Sequence, residues 1–245
     1  MPKPKKVSKA ALKQLRQVST PTITTQLMSN HGIYNASLRN VMPLNPGEPR
    51  FAGPAYTLRY VPMREDMHPQ QYLNHPDNLM TPIVEGIPKG AVMLMDANGR
   101  NDVGILGGNI LMRLKMRGVT AAVTDGRMRD IPEIVDLGMP VCATASAPPP
   151  SFTKLMLIDS QCVVSCGGVT IFPGDIIVGD DEGVVAIPAA FAKSVAEGGM
   201  AQDHVEGWVN RRLAKGDAMP GLYPPNEKAV KEYEKWVKAG EPDEV

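Results

Sequence analysis

The sequence predicts an α/β protein in which a mixed sheet is flanked by helices at both ends of the chain. Three observations predict it. Short apolar segments broken by Gly and Pro run from about residue 40 to 187, one helical segment lies between two of them, and helical periodicity otherwise falls outside that zone. The bounds give N-terminal helices over 1–39, an α/β core with active-site loops over 40–187 and C-terminal helices over 188–245, organised as one structural domain.

The elements follow in chain order. In "SKAALKQLRQV" (8–18), Leu12 and Leu15 stand at helical spacing, and "TPTITTQLMSNHG" (20–32) begins on Thr-Pro and closes on Gly32. The clearest strands are "GPAYTLRYVPM" (53–63), "GAVMLMDA" (90–97), "GVTAAVTDG" (118–126) and "MPVCATAS" (139–146). Between the second and third lies "NILMRLKMRG" (109–118), a helix with Gly118 as its stop, so strand, helix and strand predict a right-handed parallel crossover. The stretch 158–188 reads as several short strands with "PGD" and "DDEG" turns. From Pro188 to Gly216 the pattern is helical, with a kink expected at Gly198 and Gly199, and "PNEKAVKEYEKWVKAG" (225–240) is a second amphipathic helix. The chain has no internal repeat.

Composition excludes several classes of function. Twenty-six Lys plus Arg balance 26 Asp plus Glu in 245 residues, which leaves no excess positive charge for nucleic acid or an anionic membrane. No apolar run approaches the roughly 18 residues of a membrane span. Three cysteines, an odd number, and a start, "PKPKKVSKA", without an apolar core fit a reducing cytoplasm.

Two stretches carry the chemistry. "TDGRMRDI" (124–131) follows a buried strand, and the carboxyl ends of parallel strands are where α/β sheets bind ligands. Its charges read equally as a solvated turn in which Asp130 caps a helix begun by "IPEIVDLG". "DVGILGGNIL" (102–111) leads a Gly-rich loop into a helix N-terminus, a place suited to a carboxylate or phosphate, although paired glycines more often serve only a turn.

Read together, "LGGNILMRLKMRGVTAAVTDGRMRDIPEI" resembles the central segment of the family that holds the class II 4-hydroxy-4-methyl-2-oxoglutarate and 4-carboxy-4-hydroxy-2-oxoadipate aldolases together with the RraA-type regulators of ribonuclease activity. The similarity extends through "GPAYTLRY", "GDIIVGDDEGVVAIP" and "RRLAKGD", while the first helices and the tail after about residue 217 are less typical. The resemblance implies a layered β/β/α fold of the swivelling, phosphohistidine-type domain, assembled as homotrimers or dimers of trimers with sites between subunits. It also implies a small 2-oxo acid substrate and a divalent cation, Mg²⁺ or Mn²⁺. Residue by residue, Asp130 would bind the metal directly, Arg129 would contact the substrate and act in catalysis, and Gly107, Gly108, Asn109 and Ile110 would cradle the pyruvate-like carboxylate. Glu206 would hold a metal-bound water from a neighbouring subunit, although a Glu on an exposed helix is usually only solvated.

The sequence departs from the aldolase signature at one place. An acid is expected with twenty residues between it and the Arg-Asp pair, and that position is Gly108, beside Asn109. Replacement acids, Asp96 and Asp102, lie at or after the end of the preceding strand. The implied activity is a metal-dependent lyase that releases pyruvate by retro-aldol cleavage or by decarboxylation of oxaloacetate; the alternative is a non-catalytic regulator that binds a ribonuclease. A methyltransferase reading finds no cofactor motif. Asp66, His68, His75 and Asp77 match no common zinc spacing and read as a solvated loop or lid, and Cys162 and Cys166 read as packing residues.

Overall fold

The computed structural model describes residues 6–48 and 50–242, without the side chains of residues 68–70. Ser8 and Ser19 cap the first two helices, α1 (Lys9–Leu15) and α2 (Thr20–His31), each accepting a hydrogen bond from the backbone three residues on, and Gly32 closes α2 in the left-handed region at φ 65°. Next come the short β1 (Met42–Pro43), the long β2 (Phe51–Pro62), a 3₁₀ segment (Glu65–Gln71), and α3 (Met80–Gly86). The crossover unit is β3 (Val92–Asp96), α4 (Gly108–Met116) and β4 (Ala121–Thr124). It is followed by β5 (Arg127–Met128), α5 (Ile131–Val135), β6 (Val141–Ala143) and β7 (Ala145–Ser146). A 3₁₀ turn (Ser151–Thr153) leads into β8 (Leu155–Ser160), the hairpin β9 (Val164–Cys166) and β10 (Val169–Ile171), and the hairpin β11 (Ile176–Asp180) and β12 (Gly183–Ile187). The chain then forms α6 (Ala192–Ala214) and α7 (Glu227–Lys238).

One eight-stranded sheet runs in the order β1, β6, β4, β3, β2, β11, β12, with β8 also paired to β2. Strands β2, β3, β4 and β6 are mutually parallel, and β1, β11, β12 and β8 join antiparallel, so the sheet is mixed as expected. Its edges approach each other: Leu38 N–H donates to Val184 O and Ala186 N–H to Ala36 O, which draws the strand leading into β1 against β12. The result is a nearly closed barrel.

Alternation along the strands sorts the side chains into three cores. Val92, Leu94, Ala121, Val123, Ile177 and Val184 point inward and pack with the β9–β10 hairpin. Met93, Met95 and Ala122 point outward beneath α3, α4 and α5. Ile176, Val178, Val185 and Ile187 point outward beneath α1, α2 and α6. Because β3 and β4 are covered on both faces, they read as unbroken apolar runs.

Three expectations need correction. The run 139–146 is two strands, because Thr144 turns out of line to donate its N–H and hydroxyl to Gly126 O at 3.0 and 2.7 Å. The helix expected from Pro188, α6, starts at Ala192. It also continues unbroken through Gly198 and Gly199, whose missing side chains let it approach its neighbours: a Cβ on Gly198 would strike Gln26, and one on Gly199 would lie 2.6 Å from Val18 Cγ1. The "DDEG" turn is present as predicted, and Asp180 has a further task there, accepting from Thr20 N–H and hydroxyl at the start of α2. Among the described residues no helix is long and apolar enough to cross a membrane.

The close approach at Gly199 is testable against Gly207 of the same helix, which has open space around it. Gly207→Ala should raise the unfolding free energy by about 0.5–1 kcal/mol through helix propensity, whereas Gly199→Ala should lower it by about 1–3 kcal/mol through overpacking. Urea denaturation of the two variants reads both, and equal shifts would show that α6 does not need its glycine.

Candidate functional site

Two segments meet at the carboxyl ends of the parallel strands. From β3, the chain passes through 97–107 into α4; from β4 it passes through 125–130 into α5. The first segment is threaded between its neighbours. Gly104 N–H donates to Pro149 O at 2.8 Å, Ile105 N–H to Arg127 O at 2.7 Å, and Arg129 N–H to Leu106 O at 3.1 Å. Gly104 is required there because a Cβ would lie 2.7 Å from Ala147 O and 2.8 Å from Arg129 Cβ.

This lacing brings Arg129 and Asp130 against the first turn of α4. Asp130 adopts the left-handed region at φ 63° and ψ 50°, uncommon for a residue with a side chain, although aspartate tolerates it better than most. The turned backbone sends its carboxylate away from its own helix. Asp130 occupies the N-cap position of α5 without capping it. Its Oδ2 instead accepts from Gly108 N–H at 3.1 Å, and its Oδ1 accepts from Arg129 Nε at 3.3 Å. The expected solvated cap is therefore replaced by a carboxylate on the N-terminus of α4, where unpaired N–H groups and the helix dipole favour negative charge. Both side chains keep about a third of their surface open, 36% for Arg129 and 33% for Asp130.

The two glycines of the loop are explained by two acids. A Cβ on Gly107 would collide with Asp130 Oδ2, and a Cβ on Gly108 would collide with Glu133 Oε2. Glu133 lies in the first turn of α5, three residues after Asp130. A carboxylate thus occupies the space that a side chain at 108 would fill, but it arrives from another element. Sequence reasoning read Glu133 only as part of a helix start; the spacing Arg-Asp-x-x-Glu was the available signal.

Arg129 and Asp130 line one end of a cavity of about 470 Å³, together with Gly107, Asn109 and Ile110. Gly108 is buried behind it with its N–H directed at Asp130. The far wall comes from residues 71–80, from the 3₁₀ turn at 151–153 and from β8. Apart from its possible role as a lid, this wall was not legible as part of a site, and α3, which begins at its end, was not predicted.

The remaining candidates lie elsewhere. Glu206 Oε1 accepts from Gln202 Nε2 at 2.8 Å on α6 and borders a separate cavity with Gln26 and Tyr223, so a single chain does not bring it to Asp130. Asp96 accepts from Asn98 and Ser165 N–H groups, Asp102 is paired with Arg100, and neither lines the cavity that holds Arg129 and Asp130. Asp66 pairs with Arg64, and His75 Nδ1 accepts from Asp77 N–H at 3.2 Å; the side chain of His68 lies outside the described residues. Among the described residues no group of three or more His, Cys, Asp or Glu side chains is placed to hold a metal. Cys142 and Cys166 are buried, Cys162 is half-buried, and all three are free thiols.

The RraA-like family model, described as Aldolase/RraA, matches residues 20–186. Protein DlpA of Legionella pneumophila is 28% identical over 74% of this chain, which spans 28% of DlpA's length. A protein of Halalkalibacterium halodurans, provisionally named a 4-hydroxy-4-methyl-2-oxoglutarate aldolase, is 31% identical over 75% of this chain and 79% of its own. Among solved structures, Streptomyces coelicolor RraAS2, described as an unusual member of the RNase ES inhibitor RraA protein family, superposes with a TM-score of 0.76 at 28% identity, covering 84% of this chain and all of that one.

Asp125, the other acid of the "TDGRMRD" loop, is structural: it accepts from Ala97 N–H at 2.8 Å and Gly167 N–H at 3.3 Å, tying the ends of β3 and β4 to the β9–β10 hairpin. Burial raises its pKa above the ordinary 3.8, with nearby Asp96 adding to the rise and the backbone donors opposing it. The folded state then holds this proton to higher pH than the unfolded state, so the contribution to stability falls as pH rises upward from the ordinary carboxylate range. Against Asp125→Asn, wild-type stability should therefore lose ground as pH rises above the ordinary carboxylate range. Urea unfolding at several pH values checks it, and a gap that is constant or widens with pH would contradict the assignment.

Proposed function

The chain belongs to the RraA-like (Aldolase/RraA) family, and we propose that it is a cytoplasmic lyase: a divalent-metal-dependent enzyme that cleaves a small 4-hydroxy-2-oxo acid to pyruvate, or decarboxylates oxaloacetate through the same enolate. The observation that carries this reading is the placement of Arg129 and Asp130 side by side on the N-terminus of α4, at the mouth of a cavity. The aldolase name of the Halalkalibacterium halodurans relative supports it.

The donor set suits a hard cation. Asp130 and Glu133 offer oxygen without thiol or imidazole, and Asp130 would hold such a cation, whose remaining positions would be open to water and to substrate oxygens. Local charge agrees: the Arg129 guanidinium is paired with the Asp130 carboxylate, and an anionic substrate adds to the negative side. When bound, Mg²⁺ or Mn²⁺ supplies Lewis-acid charge beside the developing enolate oxygen, with Asp130 as the direct protein ligand.

The chain's own residues do the rest. The planar fork of Arg129 holds the substrate carboxylate, and the first-turn N–H groups of Asn109 and Ile110, which have no partner within the helix, face the same anion beside Gly107 and Gly108. Glu133 Oε2 takes the proton of the 4-hydroxyl, standing in for the acid absent at 108. The C3–C4 bond breaks, its electron pair remains on C3 as the pyruvate enolate, and C4 leaves as a carbonyl. Protonation at C3 completes pyruvate. In this reading the protein is a homotrimer or a dimer of trimers, and Glu206 of one subunit faces the site of the next.

A second reading, a non-catalytic regulator of a ribonuclease, is supported by the similarity to RraAS2. Exchange of the C3 protons of pyruvate in D₂O separates the two, because it needs the enolate and no 4-substituent. With Mg²⁺ or Mn²⁺ the parent protein should catalyse exchange above the metal-only rate. Arg129→Ala and Asp130→Ala should each lower it by about 100-fold or more, whereas Glu133→Gln should spare the exchange and lower pyruvate release from a 4-hydroxy-2-oxo acid by about 100-fold. Exchange no faster than with metal alone, or Arg129 and Asp130 variants equal to the parent, would sink the lyase reading and leave inhibition of a ribonuclease as the activity to measure.

A further inference from the structure

Tyr60 lines the cavity that holds Arg129 and Asp130, and only 4% of its surface is exposed. It stands near the carboxyl end of β2, one residue beyond the pairing of Arg59 with Asp96 of the parallel β3, so it shares the edge from which the loops of the site emerge. On the other side it faces Leu157 of β8, where the ladder shifts register between Arg59 and Tyr60, an irregularity of the kind that re-aims a side chain. Its ring belongs to the outward core with Leu58, Met80 and Ile83.

The hydroxyl at the tip of that ring is unpaired among the described residues. The polar atoms that are both sealed and unpaired are Arg117 Nε, Arg127 Nε and Trp208 Nε1. Tyr60 Oη is unpaired without being sealed, so the little surface that Tyr60 keeps includes it, and the cavity is the space that reaches it. Burial raises the phenol above its ordinary pKa of 10, with no hydrogen bond or neighbouring charge contributing. Such a phenol keeps its proton and offers it as a hydrogen-bond donor.

The neutral polar side chains around it are occupied or wet. Gln71 Oε1 accepts from Leu157 N–H at 2.9 Å, Asn78 Nδ2 donates to Gln71 O at 3.1 Å, and Asn78 Oδ1 accepts from Met80 N–H at 2.9 Å, so these two hold the wall together. Asn74 and Asn109 are exposed and Ser151 is half-buried, which leaves all three open to water. Tyr60 alone combines burial with a free donor. A buried hydroxyl without a partner is destabilising, and an acceptor oxygen entering the cavity removes that cost.

The ring is fixed by a core strand, which suits it to the part of a substrate that does not vary. Resting on the pyruvate-releasing reading of the site, we propose that Tyr60 is a substrate-binding residue whose hydroxyl donates a hydrogen bond to the carboxylate of the 2-oxo acid, beside the Arg129 guanidinium. A carboxylate has lone pairs enough for both donors. Its charge is the same before and after bond breaking, so the contact acts on KM rather than on kcat.

Tyr60→Phe tests this, because it removes the hydroxyl and keeps the ring. The urea midpoint of the free protein should equal or exceed that of the parent, since no bond within the protein is lost. In the pyruvate C3 exchange with Mg²⁺ or Mn²⁺, KM for pyruvate should rise by about 10-fold while kcat stays within about twofold. A lower urea midpoint overturns the proposal, because it shows that the hydroxyl already has a partner in its own or a neighbouring subunit. An unmoved KM overturns it by leaving water as the partner, and a loss confined to kcat overturns it by making the phenol act on the enolate. The parent tells the failures apart: exchange with KM unmoved in the variant sinks the role of Tyr60 alone, and no exchange by the parent sinks it together with the lyase reading.

Discussion

The hydrogen bond from Gly108 N–H to Asp130 Oδ2 joins the start of α4 to the loop after β4, and the local geometry of the site follows from it. For the carboxylate to reach that N–H, Asp130 must take a left-handed backbone, and Gly107 must lack the Cβ that would occupy the same space. For the loop to lie close enough, Gly104 must pass beneath Arg129. Its energy is modest: a carboxylate at an exposed helix N-terminus gains roughly 0.3–1 kcal/mol from the dipole, and Asp130 is about a third exposed. A strong, fully buried bond would lock the acid in place. A weak one positions it while leaving its oxygens exchangeable for another partner.

The barrel explains why these two loops are neighbours. Strands β3 and β4 are parallel and adjacent, so their carboxyl ends emerge side by side. Both are buried on two faces, which makes them the stiffest available anchors. Asp96 and Asp125 are used at those ends as acceptors for backbone N–H groups, Asp96 from Asn98 and Ser165, Asp125 from Ala97 and Gly167. The acids nearest the strands therefore serve the scaffold, and Asp130, further along its loop, faces the cavity.

What was legible in the sequence divides along the same line. The crossover unit and the strands were readable because their signals are local: apolar runs between Gly and Pro, and Ile110, Leu111 and Leu114 at helical spacing. The Arg129–Asp130 pair was readable as a candidate site through its position after such a strand and through the family resemblance. Glu133 was not, because counting along the chain looks for the acid at 108, whereas the carboxylate reaches that space from a different helix. The role of Gly198 and Gly199 was misread for a similar reason. A glycine pair signals a kink when only its own helix is considered, and a close contact once Val18 and Gln26 are seen beside it. The wall over 71–80 was missed because α3 is short and the segment before it is polar and irregular, so neither period appears.

The site thus combines two kinds of construction with different tolerance to change. Its end beside α4 is made largely of backbone: first-turn N–H groups, three glycines, and an aspartate in an unusual conformation. Few substitutions there preserve the geometry. Its far wall is made of side chains on a segment held by hydrogen bonds from Leu157 N–H to Gln71 Oε1, from Asn78 Nδ2 to Gln71 O and from the Thr81 hydroxyl to Leu73 O. That segment sets Gln71, Asn74 and Asn78 beside Tyr72, Leu73 and Met80, so the wall offers polar and apolar contacts together, and it depends on side chains where the end beside α4 depends on backbone.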